Sequence, residues 1–213
     1  MVYVLRILWL KNESNPMSNL TEKKHITKAE INELPMQQYE GTIHLCKTAE
    51  EAETAAKLLL KATLLGFDTE TRPAFRKGES YDPSLLQLAT EDAVYLFQIQ
   101  QSGLTDSLLR VLASPKIVKA GVAIDRDIEE LQAVRPFEPD GFIELATCAK
   151  EARIKNLGLR GLTAILFGFR ISKREQVSNW ARKDLTDSQK TYAATDAWLG
   201  RKIYLAFKKQ GLV

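Results

Sequence analysis

The sequence predicts an α/β domain in which a mixed sheet is flanked by helices, and three observations predict it. Strand-like and helix-like segments follow one another from Gly41 to Leu131, and helical spacing dominates from Glu144 to the end. A chain of 213 residues with 45% hydrophobic and 27% charged residues has the profile of one globular domain. Such a domain buries on the order of 70% of its extended-chain surface, enough to hold catalytic groups on a rigid core. Two cysteines, Cys46 and Cys148, exclude a disulfide framework and a four-thiolate zinc site, and point to a reducing compartment, the cytoplasm.

Met1 to Leu10 is apolar but too short to span a bilayer, and it lacks the basic start and small-residue cleavage site of a signal peptide. More ordinary sequence begins at Met17, which makes that methionine the expected start of translation. Residues 1–40 are read as an amino-terminal extension, polar from Ser18 and lying over the domain, and residues 41–213 as the domain itself. Thr42 to Cys46 alternates like a strand, and Ala49 to Leu65 is rich in Ala, Leu and Glu at helical spacing. Gly66 to Glu70, Ser84 to Ala89 and Ala93 to Phe97 read as strands, followed by a helix around Thr105 to Ala113. Ile117 to Val122 reads as a strand running into a helix from Asp125 to Leu131. A long helix is expected from Leu185-Thr186-Asp187 to about Phe207.

Composition narrows the chemistry. Only His25 and His44 are present, both in the first quarter of the chain, so schemes built on a histidine base or a histidine-rich zinc site are improbable and carboxylates are the candidates. The formal net charge of +3 hides an asymmetry: from Lys150 to Val213 there are 14 Lys and Arg against 5 Asp and Glu, while residues 1–149 have 16 against 22. A basic half beside an acidic one suggests a polyanionic partner next to a carboxylate cluster.

Three motifs carry that cluster. In Phe67-Asp68-Thr69-Glu70-Thr71, at a strand end, residues two apart face the same way about 6.6 Å along the chain, so Asp68 and Glu70 project together and repel unless a cation lies between them. Mg²⁺, which prefers hard oxygen ligands, answers that need. In Gly121-Val122-Ala123-Ile124-Asp125-Arg126-Asp127, at a strand-to-helix junction, either aspartate can cap the helix. In Tyr192-Ala193-Ala194-Thr195-Asp196, phenol and carboxylate stand at i and i+4 on one helix face and can meet one ligand.

Taken together, FDTET, GVAIDRD and YAATDA, with 57 residues from Glu70 to Asp127 and 69 from Asp127 to Asp196, resemble the DEDD superfamily of 3′-to-5′ exonucleases. The YxxxD arrangement is similar to the tyrosine subclass that includes ribonuclease D, the polymerase proofreading domain and the Werner-helicase exonuclease domain. Ser84 to Ala89, Val177-Ser178-Asn179-Trp180 and Leu185 to Gln189 extend the resemblance from Gly41 to the carboxyl terminus, and the last two favour the ribonuclease D and Werner-like branch.

The resemblance implies a ribonuclease H-like fold and removal of nucleoside monophosphates from single-stranded 3′ ends. It implies Asp68, Glu70, Asp127 and Asp196 as ligands of two divalent cations, Mg²⁺ or Mn²⁺, with Asp127 functional and Asp125 the cap. It gives Glu70 and Tyr192 catalytic roles, the phenol orienting the attacking water because its ordinary pKa of about 10 makes it a poor base. Thr69, Arg72, Lys173 and Arg182 are the substrate-binding candidates. The loop Thr71 to Tyr81 adds Phe75, Arg76, Lys77 and Tyr81 as stacking surfaces and phosphate-binding charges. Trp180 is expected in the core. One departure is Glu144-Leu145, where the family often has an Asp-Thr pair. The Werner-like segments point to DNA. RNA trimming like that of ribonuclease D is the alternative, and a nuclease fold that only grips nucleic acid is the rival from another class.

Overall fold

The computed structural model describes residues 23–76 and 78–213, so the expectations placed on Met1 to Leu10, Met17 and Lys77 lie outside the described residues. Six strands, β1 (Thr42–Cys46), β2 (Leu64–Thr71), β3 (Pro83–Ala89), β4 (Ala93–Gln98), β5 (Val118–Gly121) and β6 (Phe142–Glu144), form one mixed sheet in the order β1-β4-β3-β2-β5-β6. β2 pairs antiparallel with β3 and β3 with β4, while β1 joins β4, β5 joins β2 and β6 joins β5, all in parallel. The helices are α1 (Lys28–Glu33), α2 (Ala49–Leu59), α3 (Ile99–Ser102), α4 (Asp106–Leu112), α5 (Asp125–Val134), α6 (Leu145–Glu151), α7 (Leu159–Phe167) and α8 (Asp187–Lys208). Among the described residues no helix is long and apolar enough to cross a membrane.

Strand alternation divides β2 between two cores. Leu65 and Phe67 turn to the face covered by α2, α4 and α5, where they meet Leu59, Leu108 and Leu131. Gly66, Asp68 and Glu70 turn to the face crossed by α8. There Leu85, Ala89 and Leu96 of the neighbouring strands pack on Ala193, Ala194 and Ala197, with Trp180 buried beside them as expected. Glycine makes the close approach possible. A Cβ on Gly66 would stand 1.8 Å from the Ala197 carbonyl oxygen, and one on Gly200 would stand 2.5 Å from that of Ala120. The capping box of Thr186 and Gln189 starts α8 where the sequence reading put it.

Two expectations change. The helix expected to run from Ala49 to Leu65 ends at Leu59, because Lys61 and Ala62 bond back to Leu58 and Leu59 and the chain then turns into β2. The run LLLKATLL satisfies both helical and strand patterns, and burial of Leu65 in the sheet decides between them. The carboxyl half is less helical than expected: α7 stops at the left-handed Gly168, and from there to Thr186 the chain is irregular apart from a bridge between Met36 and Arg170. α1, α3 and β6, each of six residues or fewer, are additions to the sequence reading.

The contact of α8 with β2 leaves no room for a side chain at Gly66. Gly66→Ala costs at least about 3 kcal/mol through overpacking, which lowers the melting temperature by roughly 6–12 °C. Thermal unfolding followed by circular dichroism measures it, and an unchanged melting temperature would show that the sheet and α8 can part at no cost.

Candidate active site

The α8 face of β2 carries Asp68 and Glu70, and α8 lays Asp196 and Tyr192 over them. Oxygen atoms of Asp68, Glu70 and Asp196 all lie within 4.8 Å of one another. Asp196 is only 7% exposed, and its Oδ1 has no hydrogen-bond partner. Burial and mutual repulsion push these groups toward their neutral forms. Asp68 and Glu70 are held well above the carboxylate range, first by burial and then by their acidic neighbours. Burial pushes Asp196 up to about 7, with the Tyr192 hydroxyl beside it working the other way. Hard oxygen donors this close, one of them buried and unsatisfied, fit a divalent cation.

Tyr192 is packed against Trp180, with ring centroids 5.9 Å apart, which holds its phenol over the cluster. Its proton is held tightly, because burial and then Asp196, Glu70 and Asp68 all raise its pKa beyond the ordinary phenol range. The phenol is therefore held in its protonated, hydrogen-bond-donating form.

Asp127 reaches the site from the other face of the sheet. Its Oδ1 accepts a 2.7 Å hydrogen bond from Thr69 Oγ1, and it stands outside the close group formed by the other three carboxylates. The reason is strand alternation: Thr69 points away from Asp68 and Glu70, toward the side covered by α5. Burial raises Asp127 to about 6 against the Thr69 hydrogen bond. The Thr69 hydroxyl, expected as a substrate contact, is thus engaged with Asp127. Asp125 is not the expected cap either. The N-cap of α5 is Ile124, which has no side-chain capping bond, and Asp125 is already the first helical residue.

What holds the entry to α5 is Glu144, the residue that departs from the family pattern. One of its oxygens accepts from the Ile124 N–H at 2.7 Å and the other from the Ala146 N–H at 2.7 Å. It therefore anchors two helices at once, beside Ala123, whose φ of 63° is a left-handed conformation unusual for alanine. The sequence signalled the position but not the contact, because Ile124 lies 20 residues away.

A cavity of about 500 Å³ opens on the cluster, lined by Asp68, Glu70, Tyr192, Asp196 and the expected contact Lys173. Arg72 lies in an adjoining cavity of about 420 Å³ with Thr69 and Asp127, its guanidinium 4.7 Å from the Tyr81 ring centroid. Phe75 in the same loop is 84% exposed. Arg182 is not brought to either. It borders a separate cavity of about 340 Å³ with Ser84 and Gln98, and its carbonyl is tied to the Gln98 amide.

A family sequence model described as 3′-5′ exonuclease matches residues 43–211. The mouse bifunctional 3′-5′ exonuclease/ATP-dependent helicase WRN is 30% identical over 208 residues, covering 92% of this chain and 15% of that protein. Among solved structures, the Nibbler EXO domain of Aedes aegypti superposes with a TM-score of 0.74 at 24% identity, over 82% of this chain and 92% of that one. Trypanosoma brucei RNase D in complex with RNA U12 gives a TM-score of 0.68 at 19% identity, over 79% of this chain and 62% of that one.

The raised carboxylates predict a metal-linked stability profile. In EDTA the folded chain binds more protons than the unfolded one between about pH 4, the ordinary carboxylate pKa, and the Asp196 value of about 7. These groups therefore favour the fold at low pH, and their contribution is lost as pH rises through that window. A divalent cation that pairs with the charged forms restores it, so the rise in melting temperature on adding Mg²⁺ or Mn²⁺ grows from pH 5 to pH 8. A rise that is absent, or independent of pH, would mean that the carboxylates do not share an ion.

Proposed function

The chain belongs to the 3′-5′ exonuclease family, and we propose that it hydrolyses phosphodiester bonds at the 3′ ends of single-stranded nucleic acid, DNA in preference to RNA, releasing nucleoside monophosphates. The observation that carries this reading is the meeting of Asp68, Glu70 and Asp196 under Tyr192, at the floor of a cavity large enough for a nucleotide. Asp68, Glu70 and Asp196, with Asp127 as the fourth carboxylate, would hold Mg²⁺ or Mn²⁺, two ions per site. Such a pair supplies Lewis-acid stabilisation of the attacking and leaving oxygens of a phosphodiester.

The chain's own groups do the rest. Glu70 accepts a hydrogen bond from the attacking water and Tyr192 donates one to it, which fixes its line of approach. Trp180 packs beside the phenol and holds it over the cluster, where it serves as the donor. Thr69 and Glu144 position Asp127, the first through its carboxylate and the second through the turn that launches α5. Lys173 binds backbone phosphate within the cavity, and Arg72 with the exposed Phe75 offers charge and a stacking face beside it. Contacts of this kind read the backbone and not the sugar, which leaves RNA as the alternative substrate. A neighbour of the same fold is known with RNA bound. The free thiols of Cys46 and Cys148 accord with a cytoplasmic, reducing location.

Digestion of 5′-labelled single-stranded DNA and RNA tests the proposal. With Mg²⁺ or Mn²⁺ the expected product is a ladder shortening from the 3′ end, absent in EDTA and absent for Asp68→Ala and Asp127→Ala. Tyr192→Phe slows cleavage by roughly 10- to 100-fold, less than loss of an oxyanion-hole donor because the phenol orients the water and does not meet the developing charge. Tight binding without a ladder would instead assign the chain to the nucleic-acid-gripping class.

A further inference from the structure

Residues 23–39, read from sequence as an extension, are fastened across the site as a strap. The Asn156 amide clasps Ile26, accepting from its N–H and donating to its carbonyl, both at 2.9 Å. Arg170 exchanges backbone hydrogen bonds with Pro35 and Gln37 and donates from its side chain to the Leu34 carbonyl. Ile26 and Ile31 are buried against Ala164 of α7. At its far end the Tyr39 N–H donates at 2.9 Å to the Thr195 hydroxyl, on the residue next to Asp196.

This strap borders the carboxylates on two sides. Lys28 and Ile31 of α1 line the 500 Å³ cavity together with Asp68, Glu70 and Asp196. Met36, Gln37 and Gln38 line a second cavity of about 400 Å³ that also reaches Tyr192 and Asp196. Along the wall of the first cavity stand three cations from three separate segments: Lys28 of α1, Arg160 of α7 and Lys173 of the irregular stretch after α7. Among the described residues no ion pair joins any of the three to a carboxylate. Arg160 is aimed by a 2.6 Å hydrogen bond to Asn32 of the strap, and its Nε is buried without a partner. The one acidic side chain in the first turn of α1, Glu30, is occupied by Thr27 and Lys23. The cavity therefore carries acid at its floor and unpaired positive charge on its wall. A metal-bound 3′ end satisfies the first, and the phosphates that precede it satisfy the second.

We propose that the strap is part of the substrate site, with Lys28 and Arg160 joining Lys173 to hold the backbone phosphates upstream of the scissile bond of a single-stranded polynucleotide. The inference rests on the exonuclease reading and extends it to Arg160 and to Lys28, the latter outside the 43–211 family match. Because phosphate is the group recognised, DNA and RNA strands are held alike at these positions.

Equilibrium binding of fluorescently labelled single-stranded DNA and RNA to the full chain, in EDTA and over a salt series, tests it. Each phosphate contact removed lowers the slope of log affinity against log salt by about 0.7 for a single strand. Lys28→Ala is exposed and disturbs no packing, so its expected result is that reduction in slope with affinity weakened about threefold to tenfold, equally for both sugars. Lys28→Glu weakens binding further, and Arg160→Gln behaves like Lys28→Ala. Lys57→Ala on α2, a surface cation away from the cavity, serves as the control and keeps the wild-type slope. Wild-type slope and affinity in Lys28→Glu would overturn the proposal. So would loss of affinity without a change in slope, or a wild-type chain that does not bind the strand in EDTA, because these cations need no metal to meet phosphate. Cleavage by the same wild-type protein in Mg²⁺ is assayed in parallel, so a failed exonuclease reading shows there while a failed strap shows only in the variants.

Discussion

Helix α8 can approach the sheet only where side chains are missing. Gly66 on β2 meets the carbonyl of Ala197, and Gly200 on α8 meets the carbonyl of Ala120 on β5. With the backbones that close, Asp196 comes to rest over Asp68 and Glu70, and Tyr192, one turn earlier, hangs above all three. The small residues Ala193, Ala194 and Ala197 continue the same close seam against Leu85 and Leu96. Larger side chains at any of these positions would lift α8 and separate the carboxylates. The site is therefore a product of backbone proximity before it is a product of its acidic residues.

That proximity has an electrostatic cost. Carboxylates crowded within 4.8 Å and shielded from water resist ionisation, and Asp68, Glu70 and Asp196 are all displaced toward the neutral form. The fold accepts this because it is stabilised elsewhere, by cores on both faces of the sheet that together bury Phe67, Phe97, Trp180 and Phe207. Local strain follows the same pattern. The left-handed Ala123 precedes the helix that carries Asp127, and Glu144 steadies the turn by satisfying the Ile124 N–H. Strain and charge repulsion meet at the residues expected to do the chemistry, where a bound cation and substrate can relieve them.

The two faces of β2 have different duties. Asp68 and Glu70 belong to the α8 face, while Thr69 reaches Asp127 on the α5 face, so the carboxylates converge around the end of a strand and not across a flat surface. The same strand end faces the cavity that the amino-terminal strap borders. Basic residues from α1, α7 and the stretch after α7 converge there, opposite the acids. Both parts of the chain supply both signs, Lys28 with Asp68 and Glu70 from the first and Arg160 and Lys173 with Asp196 from the second, so the acid floor and basic wall are made by folding and not by the charge asymmetry along the sequence.

Much of this was legible in the sequence because it is local. The two-residue alternation of FDTET paired Asp68 with Glu70, the four-residue spacing of YAATD put Tyr192 and Asp196 on one helix face, and Thr186 and Gln189 marked the start of that helix. Those features depend only on backbone periodicity and capping, which neighbouring residues determine by themselves. Tertiary structure decided what periodicity cannot encode. It ended α2 at Leu59 because Leu65 is buried in the sheet, turned the Thr69 hydroxyl to Asp127, left α5 without a side-chain cap and let Glu144 hold the turn before it, and placed Arg182 in a different cavity from Lys173. It also folded an apparent extension back over the site, through contacts such as Ile26 with Asn156, 130 residues apart. Such contacts arise from burial and hydrogen-bond satisfaction between segments distant in sequence, and they exist only once the chain has closed on itself.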